Sequence, residues 1–185
     1  MSGLPGGSRQ VDPLDPTPDD KDWTWVLDRP CRECGFAATA MPGDRVAAAL
    51  PGWVDRWRQV LARPDARERP SGLVWSPLEY GCHVRDVLVV FGDRAASMLA
   101  SDDPAFANWD QDATAIQGRY HAQDPTEVAD DLAGAAAATG AVFAAVPDGG
   151  WVRPGRRSNG SVFTLDSLAR YFAHDVVHHL HDVSG

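Results

Sequence analysis

The stretch "SPLEYGCHVRDVLVVFGDRAASMLA", residues 76–100, narrows the folds open to this chain more than any other. Ser76 stands where a helix N-cap belongs, Pro77 fits a first turn whose N–H would go unpaired anyway, and Glu79 occupies the capping-box position. Tyr80, Val84, Val87, Val90 and Phe91 then recur at helical spacing, so one face must be buried. Three other segments make the same demand. Residues 43–62 repeat Val46, Leu50, Val54, Trp57 and Leu61, with a bend or restart expected at Pro51. Residues 125–146 open on a proline, and their alanine-rich body permits close packing. A last helix runs from Thr164 as N-cap through "LDSLARYFAHDVVHHLHDV". Four helices of similar length around one core predict an all-α four-helix bundle.

Between the second and third helices lies a long crossover, 101–124, whose Pro, Asp, Asn and Gly predict an irregular path over the end of the bundle. Residues 147–164 are turn-rich, with a small hairpin expected at Asn159-Gly160. Residues 1–22 hold Pro, Gly and Asp with little to bury and read as a mobile leader, which leaves 23–185 as a single domain. The formal charge of -9 opposes binding to a phosphate backbone, and the scattered arginines form no basic stripe, so neither nucleic acid nor a membrane surface is expected as partner. No apolar run approaches the span of a bilayer and the N-terminus lacks a signal segment, so the expected location is the cytoplasm.

The stretch "HDVVHHLHDV", residues 174–183, carries four of the six histidines. At 100° per residue, Leu165, Leu168, Ala169, Phe172, Val176, Leu180 and Val183 form the core-facing side of the last helix. His179 lies inside that arc, Asp175 and Asp182 lie one turn to either side, and His174, His178 and His181 point the opposite way. His83 sits at the margin of the apolar stripe of the second helix. A buried imidazole needs a partner. His83 with Asp175 and His179 would supply three ligands to a metal and leave one position open; a histidine hydrogen-bonded to a carboxylate is the alternative from spacing alone.

"WSPLEYGCHVRDVL" (75–88), followed far downstream by "DVVHHLHDV", resembles the DinB-like four-helix-bundle metalloproteins, a superfamily that includes the N-terminal domain of mycothiol-dependent maleylpyruvate isomerase. The resemblance covers roughly residues 43–183. It implies metal-site residues at His83, Asp175, His179 and Asp182. The expected ion is zinc or nickel held by His83, Asp175 and His179, with Asp182 and Glu79 or Asp86 fixing the imidazoles. It further implies that the metal activates a low-molecular-weight thiol such as mycothiol toward a small electrophile, or water in a hydrolase. Asp175 stands where the family has His or Glu, and the shorter side chain makes His174 and His178 the alternative pair. The isomerase's C-terminal, substrate-holding domain has no counterpart, so isomerase activity itself is not expected. The expected partner is a small molecule, with a homodimer allowed. A metal-free binding or dimerising module is the non-enzymatic reading.

Other motifs carry weaker implications. "HDVVH" (174–178) has the spacing of a metalloprotease helix, but its Asp is one methylene too short for the general base. Cys31 and Cys34 form a C-x-x-C without a second such pair, and Cys82 points elsewhere on its helix, which excludes a four-thiolate zinc site. They read as two reduced thiols in a loop over the bundle, with a reversible disulfide as the alternative. If the crossover folds over the metal end, Asp110, Asp112 or Arg119 would hold substrate; otherwise Trp109 anchors a solvated loop. Arg153, Arg156 and Arg157, just before the last helix, are suited to a substrate carboxylate.

Overall fold

A computed structural model describes residues 23–185; the leader read in 1–22 lies outside the described residues. Four long helices carry the fold: α1 (Val46–Leu61), α2 (Pro77–Ala100), α4 (Pro125–Ala144) and α5 (Leu165–Asp182), with a short α3 (Gln111–Gln117) in the crossover. The start of α2 forms as its sequence demands: Glu79 N–H donates to Ser76 Oγ at 3.3 Å and Ser76 N–H donates to Glu79 Oε2 at 2.9 Å. At α5, Ser167 does what a Glu would, exchanging bonds with Thr164 at 2.9 and 3.1 Å. Asp124 caps α4. Against expectation, α1 runs through Pro51 without a restart. That proline lies on the exposed side, where the carbonyl deprived of its partner can be hydrated.

In the bundle, α4 packs on α1 and α2, and α5 packs on α2 and α1, so the sequence neighbours α1 and α2 lie across the diagonal. This order places the first turns of α2 beside the C-terminal half of α5. The core is continuous: Val46, Leu50, Trp57, Leu88, Phe91, Leu132, Phe143, Leu168, Phe172 and Leu180 are all buried. Each such side chain contributes roughly 1.5–3 kcal/mol on leaving water. The apolar set read from the α5 wheel is buried throughout. The alanine-rich α4 comes close to α2, where a Cβ added at Gly92 would meet Thr139 Oγ1 at 2.5 Å. That hydroxyl donates to the Leu88 carbonyl at 2.7 Å across the helix pair.

The crossover is more ordered than its composition predicts. It holds β1 (Ala105–Phe106), α3 capped by Asp110, and a tight turn at Tyr120–Ala122. The hairpin forms as β2 (Pro154–Arg157) and β3 (Val162–Thr164), with Gly160 in the left-handed region at φ 94°. β1 pairs parallel with β2, so the helical bundle carries a small three-stranded sheet. Residues 24–45 contribute three single turns that lie against α5. No helix among the described residues is long and apolar enough to cross a membrane.

Candidate metal centre

His83 is on α2 because the stripe Tyr80, Val84, Val87 carries it inward, and Asp175 and His179 stand one turn apart on the face of α5 that meets α2. The structure brings these three together, with one ligand atom of each within 4.8 Å of the others. His83 Nε2 lies 3.6 Å and His179 Nε2 3.4 Å from the same oxygen, Asp175 Oδ1. Neither approach has the geometry of a hydrogen bond, and Asp175 Oδ1 is buried without a hydrogen-bond partner among the described residues. Ligands 2.0–2.2 Å from a tetrahedral ion are about 3.3–3.6 Å apart, so the separations fit a cation between them.

Electrostatics agree with the geometry. Burial opposes the charged form of Asp175, but His179 and His83 outweigh it and hold its carboxyl well below the usual range. Burial likewise opposes charge on His179, yet Asp175 and Asp182 push it up to about 9. Burial lowers His83. His179 Nδ1 lies 2.8 Å from Asp182 Oδ2, a carboxylate kept ionised by its histidines despite burial. If an ion displaces one proton of the His179 ring, the remaining proton belongs on Nδ1, beside Asp182, and Nε2 is left to present a lone pair toward Asp175 and His83. In this arrangement Asp182 orients His179.

Aromatic rings wall the site. Trp109 stacks on His83 at 5.4 Å and 8°, Trp75 lies 5.4 Å from the same ring, and Tyr80 lies 5.1 Å from His179. The crossover thus folds over this end of the bundle, anchored by Trp109, whose Nε1–H donates to Thr114 Oγ1 at 2.9 Å. Sequence reasoning treated Trp109 only as an anchor and passed over Arg94. Eleven residues from His83, Arg94 returns to within 20° of it on the α2 wheel and is buried. Burial and then Arg157 work against its cation, while Tyr171 and Asp175 favour it.

Other residues singled out from the sequence stand elsewhere. Glu79 is taken up by the helix cap and by Arg69, whose Nε–H donates at 2.9 Å, so it orients no metal ligand. Asp86 accepts from Arg85 at 2.8 Å and from the Tyr120 hydroxyl, tying the crossover to α2. Asp110 caps α3, accepting from Ala113 N–H at 2.8 Å, and Arg119 is exposed beside it with a left-handed φ of 48°. Arg156 donates to Asp103 at 3.1 Å on the exposed sheet. The crossover therefore offers Trp109 to the site and keeps these polar residues outside.

His174 and His178, the alternative pair, do not meet His83. Both are buried, on the neighbouring face of α5, under the segment holding Cys31 and Cys34. Of the three histidines that point away from the core-facing arc, only His181 is exposed. The N-terminal turns cover the other two, with Trp23 4.9 Å from His178 and Phe36 5.9 Å from His174.

The diagonal topology and the group His83, Asp175, His179 between α2 and α5 define a helical-bundle protein with a candidate metal site. A family model of the DinB superfamily matches residues 64–183, and the chain belongs to that superfamily. Its fold is similar to that of YfiT from Bacillus subtilis, described as a probable metal-dependent hydrolase with an unusual four-helix bundle topology. The two share 16% identity over 92% of each chain, with a TM-score of 0.65. No functionally curated protein matches the sequence.

Proposed function

We propose that the protein holds one divalent cation, zinc or nickel, through His83, Asp175 and His179, and uses it to activate the thiol of a small cofactor such as mycothiol against a small electrophile. The observation that carries the reading is the buried Asp175 Oδ1, without a hydrogen-bond partner among the described residues yet flanked by two imidazole nitrogens at 3.4 and 3.6 Å. A metal bound there would lower the pKa of a coordinated thiol or water. The chain's own residues do the rest. Asp182 fixes the His179 ring, and Trp75, Tyr80 and Trp109 exclude bulk water. The likeness to YfiT supports water as the alternative nucleophile, in a hydrolase. The three free cysteines accord with a cytoplasmic setting.

Elemental analysis of tag-free protein tests the metal. His83→Ala should lose one equivalent relative to the wild type, and binding of mycothiol, followed by calorimetry, should vanish with it. Equal metal in both proteins, at unchanged stability, would leave a non-catalytic module. Thiol-independent ester or amide hydrolysis that His83→Ala abolishes would select water.

A further inference from the structure

The segment "CRECGF", residues 31–36, folds back on itself: Cys31 N–H donates to the Phe36 carbonyl at 2.8 Å, Gly35 N–H donates to the Cys31 carbonyl at 2.9 Å, and Gly35 takes the left-handed φ of 74°. A side chain at that φ would be strained, so the glycine permits the turn that presents both sulfurs to one side. Facing them are His174 and His178, one turn apart on α5. One ligand atom from each of the four residues lies within 4.8 Å of the others.

We propose that Cys31, Cys34, His174 and His178 form a second metal site, a closed two-thiolate, two-imidazole zinc centre that clamps the N-terminal segment onto α5. Tetrahedral zinc with bonds of about 2.3 Å to sulfur and 2.0–2.1 Å to nitrogen sets sulfur–nitrogen separations near 3.6 Å. Cys31 Sγ stands 3.7 Å from His178 Nδ1. His178 Nε2 faces carboxylates instead, 3.5 Å from Glu33 and 3.7 Å from Asp182, which draws the ring proton to Nε2 and leaves Nδ1 free to ligate. His174 Nε2 is buried with no hydrogen-bond partner among the described residues, an expensive state for an imidazole unless an ion takes the lone pair. Trp23 and Phe36 cover both rings. No cysteine is in a disulfide.

Binding balances simply. Zinc displaces one proton from each thiol and meets two neutral imidazoles, giving a site of zero net charge that can sit under aromatic cover. Four protein ligands leave no open position, so the role is structural. It supplies what the local sequence lacks, because residues 24–45 build only single turns and bury few large side chains of their own. The two sites alternate along α5: 174 and 178 serve the clamp, while 175 and 179 face α2. The clamp therefore braces the helix that carries the first centre.

The test uses full-length, tag-free His83→Ala protein, which lacks a ligand of the first centre. It should retain one zinc per chain. Replacement by cobalt(II) should give thiolate-to-metal charge-transfer bands in the near ultraviolet with intense tetrahedral ligand-field bands, a signature that a site without sulfur cannot produce. Cys31→Ser and Cys34→Ser should abolish these bands and the zinc. Because the cobalt spectrum is read on protein with all four ligands, it decides the matter even if the cysteine variants fail to fold. Zinc-free protein lacking the charge-transfer bands, or a Cys31–Cys34 disulfide in its place, would overturn the proposal. Neither outcome bears on the first centre, whose donors are nitrogen and oxygen.

Discussion

Replacing Glu79 with glutamine separates a structural carboxylate from one that serves a metal. Glu79 is only 3% exposed, accepts from Ser76 N–H and Oγ–H at 2.9 Å each and pairs with Arg69, whose side chain is 27% exposed. Breaking a fully buried ion pair costs about 3–5 kcal/mol; partial exposure of Arg69 and retention of an acceptor by glutamine reduce this to about 2–3 kcal/mol. In a domain of this size each kcal/mol is worth roughly 2–4 °C, so Tm at neutral pH should fall by roughly 4–12 °C. Burial opposes the charged form, but Arg69 and Ser76 outweigh it and hold the carboxyl below its ordinary 4.5. A depressed folded-state pKa means that the contribution is fully present above about pH 4.5 and is lost as pH falls through the folded value. Melting curves of wild type and Glu79→Gln should therefore converge on acidification. Metal per folded chain should not change. Loss of metal at unaltered Tm would refute the reasoning and return Glu79 to the residues that orient the ligands.

Tyr120→Phe removes the hydroxyl that bonds Asp86, and chemical denaturation should show a loss of about 1–2 kcal/mol with metal content intact, since the pair ties the crossover to α2 and not to His83. Gly92→Ala pushes a methyl against Thr139 Oγ1 and should cost about 1–3 kcal/mol by the same assay. The double change Gly92→Ala, Thr139→Ala should recover part of that loss, because it empties the space the methyl needs.

Periodicity and capping made the four helices legible in the chain. Ser76, Pro77 and Glu79 mark the start of α2, Thr164 that of α5, and the wheel of α5 separated Asp175 and His179 from His174 and His178. These are local signals, set by hydrogen bonds within one turn and by the side of a helix on which an apolar residue falls. For the same reason the wheel turns His174 and His178 away from the core without showing what covers them: burial on a second face depends on a segment more than a hundred residues away, and the turns of 24–45 have no period to announce where they lie. Glu79, expected to help fix the imidazoles, is claimed instead by the guanidinium of Arg69, a contact that follows from the path of the loop before α2. Trp109 enters the picture through packing alone, whereas Arg94 shares the His83 side of α2 by its spacing. Helix existence and facing were thus written in neighbouring residues, whereas which faces meet was decided when the chain set α1 and α2 on a diagonal and α5 between α2 and the N-terminal turns. Only that closure brings His83 of α2 and the turn holding Cys31 and Cys34 each against its own face of α5.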